Sequence, residues 1–128
     1  MEPSKELDEL ANSVIGAAIE VHRHLGPGYL ESVYEEALGI ELMERHIPYR
    51  LQHLISVTYK GKSVGEGKLD LLVADKLVVE LKAVEALLPV HKAQVISYLK
   101  ATKLHLGLLI NFNASVLRDG IQRIIYSN

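Results

Sequence analysis

Cysteine is absent from this 128-residue chain. That excludes disulfides, zinc–thiolate centres and thiol nucleophiles, and it fits a reducing cytoplasm. No apolar run reaches the length a membrane span needs. The opening "MEPSKELDEL" is acidic and polar, which is wrong for a signal peptide. Internal repeats and low-complexity tracts are missing. So are a P-loop, a dinucleotide fingerprint and the elbow of a serine hydrolase. What is present is 48% hydrophobic and 23% charged, the balance of a globular protein. The length suits one domain, 1–128, around a single core.

The net charge of −2 conceals an asymmetry. Residues 1–45 carry 10 Asp/Glu against 3 Lys/Arg, whereas residues 46–128 carry 6 against 11. A basic surface beside an acidic pocket is what a phosphate-backbone substrate and a metal would need.

From Glu6 to about His24, Leu7, Leu10, Val14, Ile15, Ala18 and Val21 recur at helical spacing, and "GPG" at residues 26–28 ends the helix. A second helix is expected from about Leu30 to Arg45, with Val33, Ala37, Leu38 and Leu42 facing inward and Pro48 marking the exit. Residues 50–84 read as three strands, with turns in "YKGKS" and "ADK". Pro89 opens a helix that runs to about Lys103. "HLGLLINF" is a buried strand by its aliphatic run, and "GIQRIIYS" reads as a last strand or a short helix. The order is α-α-β-β-β-α-β and a terminal element. It predicts an α/β fold, a mixed sheet flanked by helices, with linkers too short for a second domain.

The charges that stand out lie in "KLDLLVADKLVVELKAV". Glu80 and Lys82 are two residues apart and share a face of a strand. If Ala74, Asp75 and Lys76 form a three-residue loop, Val73 opposes Leu77, Leu72 opposes Val78, Leu71 opposes Val79 and Asp70 opposes Glu80. A two-residue turn would instead put Asp70 on the face of Leu81. Two opposed carboxylates among leucines and valines repel each other and need a cation. Lys82 supplies part of that charge. A divalent ion supplies more, and hard oxygen donors suit Mg2+ or Mn2+. The plain alternative is an ion pair of Lys82 with one carboxylate, and buried pairs stabilise poorly.

Asp70 followed by Glu80-Leu81-Lys82 resembles the signature of the PD-(D/E)xK nuclease superfamily. Gln94 and Tyr98 in "AQVISYLKAT" look like the QxxxY helix motif of its RecB-like members. Gly28, Glu31 and Tyr34 in "LGPGYLESVYEEAL" match the GxxExxY motif of a family of small prokaryotic proteins within it. "EVHRHLGPG", "VVELKAV", "PVHKAQ" and "GLLINFN" also read like that family, so the resemblance runs from about Val14 to Ile125. Leu69 stands where the signature has proline. The resemblance implies a restriction-endonuclease-like core. It implies Asp70 and Glu80 as metal ligands beside the backbone carbonyl of Leu81. It gives Lys82 the task of positioning or deprotonating the attacking water, with Glu31 as an added carboxylate. Gln94 and Tyr98, one helical turn apart, would face the substrate, joined by Tyr34 and by His91 one turn before Gln94. Glu31 otherwise reads as a first-turn acid that favours the helix dipole. Gly28 reads as a turn glycine. His22 reads as packed or capping, and Asn111 and Asn113 as a strand end.

A metal-dependent nuclease on DNA or RNA, with nucleic acid as partner, is the reading these residues favour. The alternative is a catalytically silent nuclease fold that binds nucleic acid or protein. A chain of this size acting on a duplex is compatible with a homodimer. A hydrolase of another phosphate ester fits less well.

Overall fold

A computed structural model describes residues 2–127. Helix α1 spans Lys5–Leu25. The Ser4 hydroxyl accepts from the Leu7 N–H, Glu6 and Asp8 sit in the first turn, and His22, Arg23 and His24 in the last. Both ends therefore match the helix dipole. Gly26, at φ 68°, takes the chain out of the helix at an angle an L side chain resists. The buried stripe is Ala11, Val14, Ala17, Ala18 and Val21, and Leu7, Leu10 and Ile15 pack against its edge. Helix α2 spans Glu31–Glu44. Its inward set is Tyr34, Leu38, Gly39 and Leu42, so Val33 is not a core residue and is 37% exposed. The difference has a packing reason. Tyr34 turns in to stack on Phe112, with ring centroids 4.5 Å apart, and this rotates Val33 outward.

Strands β1 (Tyr49–Tyr59), β2 (Lys62–Val73), β3 (Leu77–Lys82), β4 (Leu106–Asn111) and β5 (Ile121–Ile125) form one sheet in the order β1-β2-β3-β4-β5. Only β3 and β4 are parallel, joined by α3 (Pro89–Thr102) as a crossover helix. The terminal element is a strand, entered through a 3-10 turn at Leu117–Gly120. Both expected hairpin turns form. Lys60 (φ 50°) and Gly61 (φ 79°) make a two-residue turn with both central residues left-handed, the type that matches strand twist. Ala74, Asp75 and Lys76 make a three-residue loop, with the Lys76 N–H donating to the Val73 carbonyl.

The odd loop length sets the register: Val73 faces Leu77, Leu72 faces Val78 and Leu71 faces Val79. Leu77, Val79 and Leu81 then point to the layer of α1 and α2, with Leu106, Leu108 and Ile110 beside them. Val78, Leu72 and Leu109 point to α3, where Val95 and Leu99 lie. Covered on both faces, β3 as far as Val79 and β4 as far as Ile110 read as apolar runs rather than as alternating patterns. Contact with α3 is closest at Gly107, where an added Cβ would lie 2.6 Å from Val95 Cγ1. The obstructing atom belongs to a stiff β-branched side chain, so the helix has to move. Gly107→Ala is expected to cost about 1–3 kcal/mol. It should appear in urea denaturation as a lower midpoint with an unchanged slope.

Candidate active site

The ladder between β2 and β3 stops after three pairs, although β3 continues to Lys82. After Leu71 and Val79, the next pair is Asp70 and Glu80, and their side chains take the place of the backbone bonds. The Asp70 N–H donates to Glu80 Oε2 at 2.7 Å, and the Leu81 N–H donates to Asp70 Oδ2 at 2.8 Å. Each carboxylate thus occupies a backbone donor of the opposite strand and holds the strands apart. One oxygen of each carboxylate stays outside these bonds. In a strand, the N–H and C=O of a residue point to the same edge. The Leu81 carbonyl is therefore turned toward the same gap.

The opening coincides with a fault in β1. Gln52, which lies between the pairs Leu51–Leu71 and His53–Leu69, has φ 49°. Leu71 packs with the α1/α2 layer but Leu69 packs with the α3 layer, although the two are in phase along β2. The paired strands therefore change faces at Gln52 and Asp70. A left-handed, non-glycine residue beside a candidate site is where backbone strain tends to accumulate.

Glu80 is only 3% exposed, and Asp70 is half-buried. Burial, followed by the Asp70 carboxylate, pushes the Glu80 carboxyl up to about 8; the Asp70 N–H and the Lys82 ammonium pull it the other way. Among the described residues, neither carboxylate has an ion-pair partner. The plain ion pair with Lys82 does not form. Lys82 Nζ donates instead to Gln94 Oε1 at 3.3 Å, and Gln94 Nε2 donates to the Tyr98 hydroxyl at 3.2 Å. One face of α3 thereby carries a polar chain to Lys82. The Tyr98 hydroxyl is raised by burial first and then by the Glu80 carboxylate, which places it within the field of the site.

The other expected residues are distributed differently. Glu31 is exposed in the first turn of α2 and acts on Glu80 through space. Among the described residues, no three His, Asp or Glu side chains cluster as a metal cage, so Glu31 does not join Asp70 and Glu80 in one. The acid beside it was not anticipated. Glu35, one turn after Glu31, is raised by burial and then by Asp70, and Gln52 Nε2 donates to its Oε1. The i, i+4 spacing of Glu31 and Glu35 was visible in the sequence, but the fault at Gln52 that brings Glu35 to Asp70 was not.

Tyr34 is fully buried. Its hydroxyl donates to the Gly26 carbonyl at 2.6 Å and accepts from the Tyr29 N–H at 3.1 Å, so it ties the loop ahead of α2 and offers no surface to a substrate. Gly28, at φ 113°, lets that loop turn. His91 caps α3, its Nδ1 accepting from the Leu88 N–H at 2.9 Å. His22 Nε2 bonds the Ala114 carbonyl, a packed role as expected. Asn111 does more than end a strand. It is buried, Oδ1 accepts from the Val84 N–H and Nδ2 donates to the Val84 carbonyl, which fixes the chain just after Lys82.

The donor set fits a hard divalent ion. Two carboxylates each have an oxygen outside the strand bonds, a carbonyl lies on the same edge, and among the described residues no Lys, Arg or His pairs with either acid. An ion of the Mg2+ type keeps several waters and needs no closed protein cage.

The position of Glu80 sets a pH dependence. Its folded pKa of about 8 lies above the ordinary 4.5, so the folded state holds the proton more tightly than the unfolded one. Between those values the folded protein carries more bound protons, and stability falls as pH rises through the window. In EDTA, urea denaturation at pH 5 and pH 8.5 is expected to differ by about 3–5 kcal/mol, with the lower pH more stable. Glu80→Gln should flatten that slope and exceed wild type at pH 8.5. A wild-type stability that rises with pH would contradict it.

No curated protein and no solved structure matched the chain. One family model does match, described as the PD-(D/E)XK nuclease superfamily, over residues 8–124. That span takes in both carboxylates, Lys82 and the polar face of α3, together with every strand of the sheet but the last residue of β5. The chain belongs to the PD-(D/E)XK nuclease superfamily.

Proposed function

We propose that this protein is a metal-dependent nuclease that hydrolyses phosphodiester bonds of DNA or RNA. The observation that carries the proposal is the Asp70–Glu80 pair, two converging carboxylates, one almost wholly buried, without a bonded cation. Such a pair is costly unless a cation binds between them. Asp70, Glu80 and the Leu81 carbonyl would hold Mg2+ or Mn2+. When bound, the ion supplies charge neutralisation at the phosphate and activates water. Lys82, steadied by Gln94, would place its ammonium against a phosphate oxygen and orient the attacking water. Tyr98 holds the other end of Gln94 and so limits the positions Lys82 can take.

The finer family assignments belong to the same reading. Gln94 and Tyr98 support the QxxxY subgroup. Gly28, Glu31 and Tyr34 support the GxxExxY one, with a division of labour the geometry makes sense of: Gly28 turns the loop, Tyr34 locks it and Glu31 is presented at the helix start. From there Glu31 and Glu35 add negative potential that favours a cation. The lack of cysteine fits a reducing, cytoplasmic setting.

Labelled DNA and RNA, single- and double-stranded, incubated with Mg2+ or Mn2+ should be cleaved by wild type. Asp70→Ala and Lys82→Ala should each lower the rate at least a hundredfold. Calorimetric titration with Mn2+ should show binding that Glu80→Ala abolishes. Equal cleavage by all three proteins, or none on any substrate, would sink the proposal. A wild type that takes up no metal would point to a silent binding module.

A further inference from the structure

Strands β1 and β2 are 11 and 12 residues long, whereas β3, β4 and β5 have 6, 6 and 5. The surplus has no layer to pack on: every residue from 56 to 66 is exposed. An isolated ribbon is marginal in water, yet this one stays paired to Tyr59–Lys62 at its tip, apart from a bulge that leaves Val64 without a partner opposite Val57 and Thr58, and it has matched turn chemistry at Lys60-Gly61. Its root is anchored. Gly67 lies against the Tyr98 ring, close enough that an added Cβ would be 2.9 Å from Cε1, and Ile55 is buried beside it. The ribbon therefore starts from the Gln52–Asp70 fault and projects roughly 17 Å beyond Ile55.

The ribbon's surface is cationic and amphipathic. Lys60, Lys62 and Lys68 are exposed against one acid, Glu66. Tyr59, Val57 and Val64 are exposed among them, and the Lys60 ammonium lies 5.4 Å from the Tyr59 ring centroid. The acid-rich residues 1–45 form α1 and α2, in the layer behind the sheet, so the cationic ribbon and the acidic lobe divide the surface. A polyanion is attracted by the ribbon and repelled by the lobe. A two-stranded β-ribbon also fits the major groove of a duplex, about 12 Å wide.

We infer that residues 56–66, with Lys68, form an arm that lies in a groove of double-stranded nucleic acid and lays the strand across Asp70 and Glu80. The inference rests on the nuclease reading for the chemistry at its root but not for the binding itself. Lys60 and Lys62 contact phosphates, and Val57, Tyr59 and Val64 on either side of them face sugar and base edges.

The test is binding without chemistry. Fluorescence anisotropy in EDTA would follow a labelled 20-base-pair duplex, and a single strand of equal length, across a salt series. The double variant Lys60→Glu/Lys62→Glu is expected to lose at least tenfold in duplex affinity. The slope of log affinity against log salt should become shallower by about 2. Lys76→Glu, at the opposite end of β2, should stay within twofold of wild type, and circular dichroism would confirm that all three fold. Single strand should bind at least tenfold more weakly than duplex. An unchanged affinity in the double variant, single strand bound as tightly as duplex, or no binding by wild type at low salt would each overturn the arm. Asp70→Ala separates the two proposals. Arm-dependent binding that persists in it while no protein cleaves any substrate would remove the nuclease reading and leave the arm standing.

Discussion

The reciprocal capture of backbone donors by Asp70 and Glu80 is the constraint around which the rest of the structure is arranged. Two acids could have been kept apart by a shift of one residue. Instead each side chain replaces a rung of the ladder, so the strands can part only where both carboxylates are present, and both stay at the opening. Burial holds Glu80 there at a cost that rises with pH. The layers on both faces of β3 provide that burial: leucines and valines from α1, α2 and α3 cover Val78, Val79 and Leu81 beside Glu80.

The surrounding polar residues work mainly by limiting motion. Asn111 bonds both backbone groups of Val84 and so anchors the chain just after Lys82. Gln94 and Tyr98 restrain the lysine from the other side. Tyr34 spends its hydroxyl on the loop before α2 and its ring on Phe112, and thereby sets where Glu31 and Glu35 begin. Tyr98 belongs to two systems at once. Its hydroxyl meets Gln94, while its ring packs on Gly67 at the root of the exposed ribbon. A displacement of the ribbon would reach Lys82 through two side chains.

Much of this was legible in the chain. Helix ends were marked by Gly26 and Pro89, and strand phase by the aliphatic runs. The three-residue loop at Ala74-Asp75-Lys76 followed from asking how Asp70 could face Glu80. Side chains compete for the same space. Val33 is apolar at helical spacing, yet Tyr34 has more area to bury and turns the helix its own way. Tyr34, expected at the substrate, is buried with its hydroxyl bonded to the loop before α2, and the Nδ1 of His91 caps α3. Composition and spacing state what a side chain can do, not which neighbour claims it first.

Local sequence determined the elements, their ends, the register of the β2–β3 hairpin and the acid–acid–lysine set, because turn length and two-residue periodicity act over a few residues. Tertiary structure alone decided that Glu35 bonds Gln52 and feels the charge of Asp70, that Lys82 bonds Gln94 rather than a carboxylate, and that β1 and β2 exchange faces at Gln52. Those outcomes depend on a left-handed glutamine and on the relative placement of layers far apart in the chain. Neither leaves a periodic trace, since each is settled by which distant groups happen to compete for the same space.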